Sequence, residues 1–160
     1  MERLRISACA VVLSCLFSPI RSSAATAPAV IKLLSVTVTA TTSAVPRPTG
    51  LPAGETPYRE VSMRDRLYNG VRQFGRPRLA RIGSDTATEL HFRSGREWIS
   101  VVTQLPGGAV YTRGDLRRVG GLAIAKVTGG TGRYAGIRGT LTILDLPYRG
   151  LAANVYRITR

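Results

Sequence analysis

Leu34-Ser35-Val36-Thr37-Val38-Thr39-Ala40-Thr41 alternates apolar and hydroxyl-bearing side chains and is rich in β-branched types. Successive side chains of an extended strand point to opposite faces, so this period of two predicts a strand with one face for a core and one for water. The same pattern runs outward from this stretch. Residues 45–57 interrupt it with four prolines and two glycines, which marks a loop, because proline fixes φ and removes a ladder donor. In residues 58–67 the alternation resumes, with Val61, Met63, Asp65 and Leu67 on one side and Glu60, Ser62, Arg64 and Arg66 on the other.

Further strands follow at short intervals. Residues 79–82 are read as a short strand beyond Gly75-Arg76-Pro77, and residues 87–93 as another, with Leu90 and Phe92 opposite Glu89, His91 and Arg93. Residues 97–105 and 109–116 flank the hairpin signal Pro106-Gly107-Gly108. Gly120-Gly121 turns into residues 122–128, and residues 138–146 and 151–159 end the chain as two more strands. Eight or nine short strands at regular spacing, without helical periodicity, predict an all-β sandwich or barrel. Closure into an eight-stranded antiparallel barrel would remove the edge strands that invite aggregation, and that architecture is the one expected here.

The first residues do not belong to this domain. A short basic start with Arg3 and Arg5 precedes an apolar run at 6–17, then small and polar residues with Ala24, Ala25 and Ala27. That order is the signature of a secretory signal peptide. The run is too short for a bilayer span, which needs roughly 20 residues, so no transmembrane anchor is expected. Cleavage is placed after Ala25 or Ala27, with Ala27 preferred, dividing the chain into a signal peptide at 1–27 and a single β-barrel domain at 28–160. A secreted or periplasmic location follows, or an apoplastic one for a plant chain. Val12-Leu13-Ser14-Cys15 loosely matches a lipoprotein cleavage box, with Leu13 a poor fit, so lipidation at Cys15 is the lesser alternative. Both cysteines, Cys9 and Cys15, lie in this segment, which leaves the processed chain without disulfides, a thiol nucleophile or cysteine metal ligands.

The whole chain carries a net charge of +14, and loss of three arginines and one glutamate with residues 1–27 lowers it to +12. The excess is almost all arginine, scattered at the polar positions of the alternating segments. It reads as a solvated outer face, with polyanion binding as the alternative. No specific nucleic-acid partner is expected. One histidine and no processed cysteine leave only carboxylates as metal ligands, so no metal site and no cofactor are expected.

Gly129-Gly130-Thr131-Gly132-Arg133-Tyr134-Ala135-Gly136-Ile137-Arg138-Gly139 is the most informative motif. It lacks the Lys-Ser/Thr pair of a phosphate loop, and Ala135 stands where a dinucleotide fingerprint needs its third glycine. Its glycines instead permit a tight turn across which Tyr134 can pack. The segment resembles the Gly-Gly-Ser/Thr-Gly-x-Phe/Tyr run shared by allene oxide cyclases and dirigent proteins. Gly54-Glu55, Leu67-Tyr68-Asn69-Gly70, Pro106-Gly107-Gly108 and Val155-Tyr156-Arg157 follow the family's order, so that the resemblance covers residues 33–160. It implies a β-barrel with a central pocket, assembled as dimers or trimers. It also implies binding of a small hydrophobic or phenolic ligand, with isomerase-like, cyclase-like or dirigent-like activity. The plant cyclase Glu and Asn fall at Thr39 and Thr41 here, and a threonine hydroxyl cannot act as a carboxylate base near neutral pH. Arg138 matches a dirigent arginine.

Asp65 shares a strand face with Val61, Met63 and Leu67, which makes it the best acid or base if that face points inward; otherwise it is a solvated or arginine-paired strand residue. The catalytic candidates are therefore Asp65, as acid or base, and Arg138, as an anchor for a ligand oxygen. Trp98, Tyr111 and Tyr134 are the candidates for lining a ligand pocket, with simple packing as the alternative for each. Lone His91, on the polar side of its strand, reads as a surface residue. Whether the chain is an enzyme stays open at this point, beside two other readings: a non-enzymatic interaction module of the cell envelope, and a secreted basic protein that binds polyanions.

Overall fold

The structure is a computed structural model that describes residues 30–44 and 56–160. The signal-peptide reading and most of the proline-rich loop lie outside the described residues. Nine strands follow one another: β1 (Val30–Ser43), β2 (Pro57–Asn69), β3 (Arg81–Phe92), β4 (Glu97–Leu105), β5 (Gly108–Asp115), β6 (Arg117–Val119), β7 (Leu122–Gly130), β8 (Arg138–Asp145) and β9 (Leu151–Thr159). A single 3-10 turn, Gly132–Tyr134, joins β7 to β8. Every pairing is antiparallel, in the order β5-β4-β3-β2-β1-β9-β8-β7, and β5 pairs with β7 to close the ring. The result is the closed eight-stranded barrel expected from the alternation, with short β6 added as a ribbon against the start of β7. Among the described residues, no helix is long and apolar enough to cross a membrane.

The stretch from residue 79 to residue 93 differs from the sequence reading. One continuous strand, β3, replaces the two short ones. Gly83 bridges them: a Cβ there would overlap the Gln104 carbonyl oxygen of β4, so only glycine lets the two backbones approach this closely.

The barrel interior has two unlike halves. At the end where β1 starts and β9 finishes, large apolar side chains fill the lumen, among them Ile31, Leu33, Leu67, Val127, Ile137 and Tyr156. Tyr134 is fully buried among them and its hydroxyl donates to the Pro106 carbonyl at 3.2 Å, so the glycine-rich turn does fold around its tyrosine. Gly139 enters β8 at φ +151, where a Cβ would overlap the Arg157 carbonyl oxygen. The second half is lined by smaller groups: Ala87, Ile99, Val101, Ala123 and Ala125, with Leu116 beside them. Side chains as short as Ala87 on β3 and Ala123 and Ala125 on β7 do not fill a barrel of this width, and this half holds the candidate site.

Candidate functional site

A cavity of about 90 Å³ occupies this second half of the lumen. Met63, Ala87, Ile99, Val101 and Ile143 form its apolar wall. Its polar groups are supplied by five neighbouring strands: Ser35 from β1, Asp65 from β2, Asp85 and Glu89 from β3, Asp145 from β8, and Asn154 and Tyr156 from β9. Asp145 is exposed, so the cavity reaches solvent at the end of the barrel opposite the apolar plug.

Asp65 and Asp85 stand directly opposite each other in the β2–β3 ladder. Side chains at such a position have Cβ atoms about 5 Å apart, and like charges there repel. Asp85 is 5 % exposed and Asp65 is half-buried. Burial raises the pKa of Asp85 to about 7, and the charge of Asp65 adds to the rise. Burial also raises Asp65, while hydrogen bonding from Thr37 and from Asp85 works against it. Asp85 is therefore the member that keeps the proton, and Asp65 is the member that carries the charge. Two carboxyls sharing one proton titrate as a pair.

Thr37 reaches this pair because it is in phase with the inward residues Ile31, Leu33 and Ser35, and β1 bulges just beyond it. Thr37 pairs with Asp65, Thr39 pairs with Arg64, and Val38 is left over between them. The extra residue shifts the register beyond it, so Thr39 sits opposite outward Arg64 instead of following Thr37 inward. Thr39 and Thr41 instead line an outer-wall depression with Ser62, Arg64 and Thr86.

Below the pair, Tyr156 is fully buried and its hydroxyl shares a 2.7 Å hydrogen bond with Thr103. Burial pushes its pKa well above the usual tyrosine range, so it acts as a neutral hydroxyl. The remaining acceptors are underused: Asp65 Oδ1, Asp85 Oδ1 and Asn154 Oδ1 are buried with no hydrogen-bond partner among the described residues. An unmet buried acceptor costs about 1–3 kcal/mol, so the site is rich in acceptors and poor in donors.

A second polar cluster rings the mouth. Glu89 is raised by burial, and Arg118 and His91 oppose that rise. Arg118 donates to Glu97 Oε2 at 2.7 Å, and His91 Nδ1 lies 3.4 Å from Glu97 Oε1. His91 is thus a half-buried rim residue flanked by two glutamates rather than a free surface group. Among the described residues, no three His, Cys, Asp or Glu side chains are arranged to hold a metal ion.

Of the five site residues read from the sequence, the structure places only Asp65 on the cavity wall. Tyr134 belongs to the apolar plug. Trp98 and Tyr111 alternate with the inward residues of β4 and β5: Trp98 lies under the Arg113 guanidinium at 5.3 Å, and Tyr111 is 37 % exposed. Arg138 is exposed at the plugged end and donates to its neighbour's carbonyl, Ile137 O, at 2.8 Å. The groups that sequence reasoning passed over are Asp85, Glu89, Asn154 and Tyr156. The signal for Asp85 and Glu89 was present: they share a period of two with Ala87.

No family model matches the chain, and no curated protein matches it at a significant level. Solved structures do match. A pyocyanin demethylase aligns with a TM-score of 0.58 at 16% identity, over 81% of this chain and 99% of that one. The pterocarpan synthase dirigent protein GePTS1 aligns with a TM-score of 0.55 at 16% identity, over 81% of each chain. At this identity the likeness concerns the fold, which is a dirigent-like barrel. It does not single out allene oxide cyclases within the wider resemblance.

Proposed function

We propose that this chain is an exported barrel that binds a small hydrophobic or phenolic ligand and that Asp65 and Asp85 act on it as an acid–base pair. The observation that carries the reading is the proton-sharing pair on the cavity wall, with an unmet acceptor oxygen on each member. A ligand hydroxyl or N–H supplies the donor that these oxygens lack. The apolar wall formed by Met63, Ile99, Val101 and Ile143 suits a flat ring. The cavity, about 90 Å³, is smaller than the roughly 150 Å³ of a dry cavity that takes benzene, so a ring enters only in part and the ligand extends through the mouth.

The chemistry available is proton exchange. Asp65, ionised, accepts a proton from an acidic O–H or C–H of the ligand, and Asp85, neutral, gives one to another ligand atom. A net isomerisation of this kind consumes no co-reactant, and an acid of pKa about 7 suits transfer near neutral pH. The neighbours named as a demethylase and a pterocarpan synthase support a small-molecule role for this barrel type. Export to the periplasm or cell exterior belongs to the same proposal and rests on the N-terminal sequence. Arg138 has no part in this site.

Calorimetric titration of a panel of small phenols and N-heteroaromatics tests the reading. Asp65→Asn, Asp85→Asn and the cavity-filling Ala87→Leu should each weaken the best binder at least tenfold, and Arg138→Ala should leave it unchanged. Loss of binding on Arg138→Ala, with the three cavity variants unaffected, would place the site elsewhere.

A further inference from the structure

The carboxylates of this molecule are segregated along the barrel axis. Of its nine carboxylates, Asp65, Asp85, Glu89, Glu97 and Asp145 sit in the cavity or at its mouth. The plugged end holds the opposite sign. Arg72, Arg76, Arg78 and Arg81 are exposed on and beside the β2–β3 connection. Lys32, Arg138, Arg157 and Arg160 are exposed on the strand ends around it. Residues 66–84, 98–114 and 146–160 contain no Asp or Glu at all. None of these eight cations forms an ion pair among the described residues; Arg76 and Arg138 make backbone contacts, and Arg160 donates to the Arg133 carbonyl.

The loop that carries three of them is held by several hydrogen bonds. The Asn69 side chain is fully buried, and its amide donates to the carbonyls of Gln73, Arg76 and Pro77 at 3.1, 3.3 and 3.0 Å. Gly70 N donates to the Lys32 carbonyl at 2.9 Å, which pins the loop to β1. The loop turns two apolar side chains outward among the arginines: Val71 is 41 % exposed and Leu79 is 57 % exposed. Leu79 is held at φ +63, a left-handed conformation that costs a leucine free energy. Two ordered aliphatic side chains within a ring of unpaired arginines match the chemistry of a bilayer interface, where cations meet headgroups and aliphatic tips enter below them.

We propose that the plugged end of the barrel docks on an anionic lipid surface through this loop, with the cavity mouth turned to the aqueous side. The axial asymmetry sets that orientation, because Arg93, Arg96, Arg117, Arg118 and Arg149 offset the carboxylates at the mouth, whereas the arginine end carries cations alone and is attracted more strongly. A lipid fits better than a nucleic acid. The exposed large apolar groups at this end, Val30, Val71 and Leu79, are all aliphatic, whereas single-stranded nucleic acids are held by stacking on rings.

Vesicle co-sedimentation of the full chain provides the test, comparing phosphatidylcholine with phosphatidylcholine containing 30 mol% phosphatidylglycerol, roughly a cytoplasmic-leaflet charge density. Any contribution of residues 6–17 is common to both vesicles, so the difference reports the charged face. Binding should appear with the anionic vesicles and fall steeply as salt rises. Replacing Arg72, Arg76 and Arg78 together by Gln should weaken it by about 100-fold, at about fivefold per charge. Replacing Arg64, Arg117 and Arg149, which removes equal charge from elsewhere, should cost under tenfold. Leu79→Asn tolerates the left-handed backbone and should weaken binding several-fold without lowering Tm. Equal loss from the two triple variants would overturn the proposal, and so would unchanged binding on Leu79→Asn with tighter binding to single-stranded DNA.

Discussion

Replacing Asp85 by Asn removes the one carboxyl that the fold holds neutral near pH 7, and the effect on stability follows from its pKa. In the unfolded chain the group titrates at 3.8, and in the barrel at about 7. The folded-state pKa is the higher one, so between these values the native state holds a proton that the unfolded state has released. Stability then falls as pH rises, by about 1.4 kcal/mol per pH unit, and roughly 4 kcal/mol is lost across the window. The penalty is absent below pH 3.8 and fully present above pH 7. Asparagine does not titrate, and its amide can still donate to Asp65. Urea unfolding of both proteins at half-unit steps from pH 4 to pH 8 reads the difference directly. The two should agree within about 1 kcal/mol near pH 4 and diverge steadily, with the variant more stable by roughly 3–4 kcal/mol at pH 8. A constant offset across the whole range would refute the reasoning, because it would mean that Asp85 is ionised in the folded protein at every pH tested.

Other perturbations have equally definite outcomes. Tyr156→Phe leaves the buried Thr103 hydroxyl without its 2.7 Å partner, and urea unfolding should show a loss of about 1–2 kcal/mol. Gly139→Ala forces a Cβ onto the Arg157 carbonyl at φ +151, and a drop of about 2–4 kcal/mol, or failure to accumulate folded protein, is expected on thermal unfolding. Arg118→Gln removes the leading charge that opposes the rise of Glu89, so the Glu89 carboxyl should titrate at higher pH in a carbon-detected NMR titration.

The barrel was legible because its outer and inner faces differ in the plainest way along most strands. Val61, Met63 and Leu67 do turn inward, and Asp65 goes with them. The glycine-rich turn was legible for a related reason: its positive-φ glycines and buried Tyr134 are local features that need no knowledge of distant partners. The site was harder. On β3 the apolar pair Leu90 and Phe92 suggested the core face, yet the cavity face is the other one, with Asp85, Ala87 and Glu89. Polarity points outward by default, so an inward acidic strand defeats a reading of one strand at a time. The outward turn of Thr39 and Thr41 was hidden by the bulge at Val38, since a register shift depends on the partner strand. Tyr156 and Asn154 reach the site only through ring closure, which places β9 beside β1 and β8.

The shared proton inside the lumen is the feature on which the proposed chemistry depends. Carbon-detected NMR of the aspartate carboxyls, followed from pH 3 to pH 9, observes it without any ligand. One interior aspartate should hold its proton to about pH 7 and sense the ionisation of its neighbour, and Asp65→Asn should bring that late step to lower pH. If every aspartate instead loses its proton independently near 3.8, the barrel encloses no such pair and the acid–base assignment fails.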